Sequence, residues 1–240
     1  MSNRSISDPD QRASAYQDLL AELAEVEHHL HTAIANLFPP FSQMVAAQLR
    51  NSQPRRRAAV VLTAGVAAPD NETVRSQRVL LGAALEMLHL AITVHMILAD
   101  SESSDTPNRS LLGSTILAGD YCFSRSASLA VRTGNSTVVE IFSDALKRVS
   151  EGRLRNFFDP SDDSYNEDQE LFVAGATAAM HLAHTPAHAR SEVIRFVAEF
   201  AHLEASSPAR TLASSLADVL DAYQSDRWLA LLGWQMTNNV

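Results

Sequence analysis

Three times in this chain a glutamate stands three positions ahead of a histidine: Glu25 and His28, Glu86 and His89, Glu199 and His202. On a helix such a pair shares a face, and two of them with two further glutamates can build a di-metal carboxylate site inside a bundle. Both residue types are common on alanine-rich helices, so chance surface pairing is the blander reading and the favoured one. His28, His29 and His31, beside Glu22, Glu25 and Glu27, read as an exposed face rather than a ligand set. The run Arg55-Arg56-Arg57 concentrates positive charge, and its ordinary role is a solvated helix start. Cys122 has no histidine near it in sequence and reads as a buried structural thiol. The sequence holds no Gly-x-Ser-x-Gly elbow, phosphate loop or paired-cysteine metal motif.

The elements that must position these groups are helices. Apolar residues recur at three- and four-residue spacing through Leu19, Leu23, Val26 and Leu30, and again through Val138, Ile141, Leu146 and Val149. No alternating strand pattern competes, and eight glycines in 240 residues argue against a loop-rich β architecture. Ser7-Asp8-Pro9 opens a helix reaching to about Phe38, where Pro39-Pro40 stops it. Pro54 opens a short helix to about Ala67, and Asp70 or Asn71 caps a long apolar one ending near Asp100. A further helix from about Ser110 stops at Gly134, a left-handed C-cap, and Asn135 or Ser136 starts the next. The acidic stretch DPSDDSYNEDQE leads into a helix beginning near Asp168, and Thr185-Pro186 and Ser207-Pro208 mark two later starts. The expectation is an all-α chain forming a single helical domain over residues 1–240.

Composition narrows the function classes. A net charge of −9 disfavours nucleic acid as a partner. The polar first dozen residues show no secretory signal, and a single cysteine excludes an internal disulfide, so a cytoplasmic location is expected. The apolar stretch from Val79 to Ala99 contains Glu86, His89 and His95, which are costly in hydrocarbon, so it reads as a central bundle helix and not a membrane span.

One constellation is more specific than the rest. Glu86-Met-Leu-His89 runs through His95 toward Asp100, followed by Ala118-Gly119-Asp120-Tyr121 and then by Ser143-Asp144-Ala145-Leu146 to Glu151-Gly152. In order and spacing this resembles the trans-isoprenyl diphosphate synthases, or polyprenyl synthetases, from about Arg55 to Leu182. The resemblance implies the isoprenoid synthase fold, shortened at its C-terminal end. It also implies condensation of an allylic diphosphate with isopentenyl diphosphate, assisted by magnesium ions held on two Asp-Asp-x-x-Asp motifs.

The chain departs from that pattern where the chemistry is done. The first aspartate motif falls on Met96-Ile97-Leu98-Ala99-Asp100, which keeps its last acid alone. The arginine pair that follows matches only at Arg109. The element that binds isopentenyl diphosphate in the family falls on residues 52–57, keeping Arg55 and Arg57 but placing Pro54 where a lysine is expected. A lysine expected before Leu171-Phe172 is replaced by Glu167-Asp168-Gln169-Glu170. The second aspartate motif is either lost near Ser207-Pro208 or shifted onto Asp218 and Asp221. The resemblance assigns Ala91, Ile92, His95 and Met96 to a product tunnel.

The reading is therefore a degenerate synthase-like subunit needing no cofactor, with Mg2+ required only if activity survives. Its expected partner is a second copy or a full-length prenyl diphosphate synthase. Three alternatives stand beside it: an active prenyltransferase using Asp100, Asp218 and Asp221 with Arg55, Arg57 and Arg109; a non-enzymatic isoprenoid binder; and the di-metal bundle.

Overall fold

The computed structural model describes residues 9–39, 41–52, 54–67, 69–101, 109–159, 165–202, 216 and 218–238. The described residues form nine helices and no strand. These are α1 (Pro9–Ala35), α2 (Phe41–Asn51), α3 (Arg56–Ala64), α4 (Glu72–Ser101), α5 (Arg109–Val131), α6 (Ser136–Phe158), α7 (Glu167–Leu182), α8 (Ala187–Phe200) and α9 (Ala222–Asn238). The all-α expectation holds.

Local chemistry explains the boundaries. Asn71, not Asp70, caps α4, its Oδ1 accepting the Val74 amide at 3.0 Å. Asn135 caps α6 in the same way through Val138, after Gly134 has turned the chain with φ +68°. Asn166 caps α7 by accepting the Gln169 amide at 3.0 Å. The first helix ends at Ala35 and not near Phe38, because a helical Pro39 would press its ring on the carbonyl four residues back. Phe41–Asn51 forms a helix that sequence punctuation does not single out. Pro54 does not open α3, which starts at Arg56. Nor does Thr185 cap α8: Pro186 takes the cap position, and the buried Thr185 hydroxyl has no hydrogen-bond partner. The Ser207-Pro208 start lies outside the described residues.

Helix α4 is the centre of the bundle, packed on α1, α3, α5 and α7, with α9 laid across α1 and α3. It is long and apolar enough to cross a membrane, yet 78% of its most apolar 18-residue window is buried within the bundle. Small residues let the central helices approach closely. A Cβ on Gly82 would sit 3.3 Å from that of Ala58, and one on Gly175 would meet Leu85 at 2.6 Å and Val61 at 2.8 Å. The interior around them is aliphatic, with Val61, Leu62, Leu81, Leu85 and Leu88 all inaccessible to solvent or nearly so.

A second, polar seam crosses the other end of α4. Glu22, 2% exposed, accepts from Arg78 Nη2 at 2.6 Å and from Arg227 Nη2 at 2.7 Å, and both arginines are as buried as it is. Asp70 takes Arg78 in a two-point contact, 2.7 Å at each oxygen. This seam ties α1, α4 and α9 together.

Candidate functional site: an arginine cluster filled by its own carboxylates

Residues 55–57 enter α3 with three guanidinium groups, and each meets a carboxylate of the same chain. Arg55 is buried, donating from Nε to Glu27 at 2.8 Å and from Nη2 to the Leu49 carbonyl at 2.7 Å. Arg57 donates from Nη2 to Asp168 at 2.5 Å, and its Nη1 lies 3.6 Å from Glu86. Arg56 lies between them, 3.8 Å from the same Asp168 and over the rings of Phe172 and Phe200. Burial lowers its pKa from the ordinary arginine value, partly offset by the Asp168 charge.

Glu86 also supports the fold directly. Its Oε1 accepts the Ala58 amide at 3.0 Å, satisfying a free donor in the first turn of α3. One turn further along α4, His89 Nδ1 stands 3.0 Å from Glu167 Oε1. Arg153 of α6 grips the other oxygen of Glu167. Burial tends to raise the Glu167 pKa, but the His89 hydrogen bond and the Arg153 charge outweigh it, so this carboxyl sits below its ordinary value. Glu170 accepts from Arg148 at 2.7 Å. Three of the acids at the start of α7 thus serve arginines of α3 and α6 and a histidine of α4.

The charge count decides what this region can bind. Arg55, Arg56, Arg57 and Arg153 face Glu27, Glu86, Glu167 and Asp168, four cations against four carboxylates. Among the described residues of this cluster, an incoming anion finds no surplus guanidinium charge. The N-terminal end of α7, which would itself favour an anion, is occupied by its own acids.

Toward the C-terminal end of α4, His95 Nε2 lies 3.3 Å from the Ile116 carbonyl and 3.5 Å from the exposed Asp120. Its ring packs on Phe123, and a Cβ on Gly119 would run into it, which explains the glycine. Tyr121 donates to the Ala33 carbonyl at 2.7 Å, anchoring α5 to α1. Gly152 leaves room in the same way for the ring of Tyr165. So Gly119, Tyr121 and Gly152 act here as packing residues.

Ala91 and Ile92 belong to the buried core, His95 to the α4–α5 seam, and Met96 is partly exposed. Two cavities are lined by none of the predicted site residues. One, of about 610 Å³ between α1 and α2, is bounded by His31, Ile34, Ala46 and Arg50. The other, of about 450 Å³, lies between α1 and α9.

The predicted acids do not come together. Asp100 lies in the last turn of α4 and Arg109 opens α5, but the side chains of both fall outside the described part of the structure. Asp221 caps α9, accepting the Gln224 amide at 2.8 Å, and Gln224 holds the Val66 carbonyl beside the start of α4. Val66 follows Gly65, whose neighbour across the helix pair is Arg78, and Asp100 lies 22 residues farther along α4, about 33 Å at 1.5 Å per residue. Asp221, with Asp218 three residues before it, therefore stands at the opposite end of the bundle from Asp100. Met96 offers no oxygen, and among the described residues no three His, Cys, Asp or Glu side chains converge.

Members of the glutamate–histidine pairs take other partners: Glu86 caps α3 while His89 faces Glu167; Glu25 pairs with Arg75; His202 Nε2 is 3.1 Å from Gln169. Among the described residues they form no group of three ligands for a di-metal site. Cys122 is fully buried and its thiol is pushed up to about 12 by burial, so it is no nucleophile. The signal that sequence reasoning missed is the acidic start of α7. In sequence it is a lysine replaced by acids; in the fold those acids are the partners of Arg57 and His89.

No protein-family model matches the sequence, and no curated protein matches it. Solved structures do share its fold. A decaprenyl diphosphate synthase from Rhodobacter capsulatus superposes with a TM-score of 0.60 at 20% identity, over 95% of this chain and 86% of that one. A polyprenyl synthase from Caulobacter crescentus, complexed with calcium and isoprenyl diphosphate, gives 0.67 at 15% identity over 92% and 98%. A geranyltransferase from Legionella pneumophila gives 0.68 at 13% over 94% and 98%. At these identities the likeness establishes the all-α isoprenoid synthase fold.

Proposed function

We infer that this chain is a prenyl diphosphate synthase-like subunit without catalytic activity, which pairs with an active prenyltransferase. The observation that carries this reading is the self-neutralised arginine cluster. Departure of pyrophosphate from an allylic diphosphate needs pre-organised positive charge, and removing such stabilisation at one site costs about 3–4 kcal/mol. Here Arg57 and His89 are engaged by Asp168 and Glu167, and Arg55 by Glu27.

Magnesium would have to be held by carboxylates, and among the described residues Asp221 serves as a helix cap, Glu86 caps α3, and Glu27, Glu167 and Asp168 are ion-pair partners. Such a donor set does not support metal-assisted ionisation.

Pairing is supported by apolar side chains left on α5 and α6. Leu117 is exposed on α5, and Leu154, Phe157 and Phe158 on α6, the last two 73% and 80% exposed. Leu154, Phe157 and Phe158 all lie in the last two turns of α6. Their burial against another chain would be favourable. The partner is a full-length prenyl diphosphate synthase or a second copy of this chain, with an isoprenoid as a further candidate ligand.

The test is co-expression with an active synthase from the same genome, followed by co-purification and chain-length analysis of the products. Association with a changed product length supports the proposal. Separate elution with unchanged products removes it.

A further inference from the structure

The cavity of about 450 Å³ between α1 and α9 takes no part in the chemistry above. Its walls are largely apolar, formed by Leu229, Leu232 and Met236 of α9, with Tyr16 and Arg12 contributed by α1. Asp226 also lines it, and the side chain of this aspartate has no solvent-exposed surface. Neither carboxylate oxygen accepts a hydrogen bond.

The groups beside Asp226 are turned elsewhere. Arg227 donates to Glu22 and to the Leu62 carbonyl, Tyr223 donates to Asp18 at 2.5 Å, and Gln224 holds the Val66 carbonyl. Arg12 approaches Asp226 only to 3.5 Å, with half of its own side chain in solvent. A carboxylate buried without donors is costly, and such a group is normally satisfied by a partner. Size and wall chemistry match those of a small-molecule site, apolar with a few fixed polar groups.

We propose that this cleft binds a small organic amine, its ammonium on Asp226 and its apolar body along Leu229, Leu232 and Met236. An ammonium offers three donors and a compensating charge to a carboxylate that accepts no hydrogen bond. Gly233 also lines the cleft, and a Cβ there would meet nothing within 4 Å. The site shares no residue with the arginine cluster.

Phenethylamine and 3-phenylpropanoate, of similar size and opposite charge, serve as probes of the full-length chain by titration calorimetry. Phenethylammonium is expected to bind saturably and at least tenfold tighter than the carboxylate. Asp226→Asn is expected to lower its affinity at least tenfold. Gly233→Leu fills the cleft from an unobstructed helical position without touching the charge, and it is expected to cause the same loss in a stably folded protein. Equal binding of the two probes, no binding of the amine, or unchanged affinity in Gly233→Leu would overturn the proposal.

Discussion

Arg57 and Asp168, 111 positions apart in the chain, meet through a 2.5 Å hydrogen bond from Nη2 to Oδ1. The contact joins the first turn of α3 to the first turn of α7. It puts a carboxylate of the protein against an arginine that the resemblance assigns to a diphosphate.

Removing that carboxylate should open the site to an external anion. Asp168→Asn is expected to bind inorganic pyrophosphate roughly tenfold tighter than the native chain, because a hydrogen bond to a charged group contributes about 1.5–3 kcal/mol. Calorimetric titration of both proteins at the same ionic strength measures this. Equal affinities would show that Asp168 does not compete for Arg57.

The Glu167 contacts predict a pH response. Its pKa is depressed from 4.5, since the His89 and Arg153 contacts outweigh the burial that raises it. A carboxyl depressed on folding stabilises the native state above its unfolded pKa, and that contribution disappears as pH falls through the folded value. Urea midpoints should therefore decline as pH drops below about 4.5, and Glu167→Gln should flatten the decline. Parallel curves for the two proteins would contradict the assignment.

Buried and exposed acids should differ sharply in their weight. Glu22→Gln leaves Arg78 and Arg227 short of their shared counter-charge, and the expected loss is about 3 kcal/mol or more. Glu72→Gln, at an exposed ion pair with Arg75, is expected to change stability by less than about 0.5 kcal/mol. Chemical denaturation compares them directly.

The helices are legible in the sequence because their signals are local. Asn135 as a cap, Gly134 in the left-handed region and the acidic run leading into α7 all follow from short-range backbone chemistry. Local pattern does not choose between Asn71 and Asp70, and a contact two turns into α4 decides it: Asp70 is drawn onto Arg78. The site is legible only as a set of losses. That Glu167 and Asp168 replace a lysine is visible in the sequence, but their pairing with His89 and Arg57 spans 78 and 111 positions, and no local pattern encodes it. The distance along the bundle from Asp218 and Asp221 to Asp100 is hidden from the sequence for a related reason. Spacing within one segment says nothing of which end of a 30-residue helix the segment reaches.

Two glycines should respond in opposite directions to the same change. Gly233→Ala adds a methyl group in open space on α9 and should stabilise by about 0.5–1 kcal/mol through helix propensity. Gly175→Ala forces the same methyl against Leu85 and Val61, and overpacking of about 1–3 kcal/mol should outweigh that gain. Denaturation midpoints moving in the same direction would contradict the packing described for α3, α4 and α7.

The most direct test of the account is a turnover measurement on the purified chain alone. Farnesyl diphosphate, labelled isopentenyl diphosphate and magnesium are supplied, and extractable labelled product is counted against a blank without protein. A chain whose arginines are held by Glu27, Glu167 and Asp168 is expected to give no product above the blank. Sustained product formation, abolished by Arg57→Ala, would contradict the account.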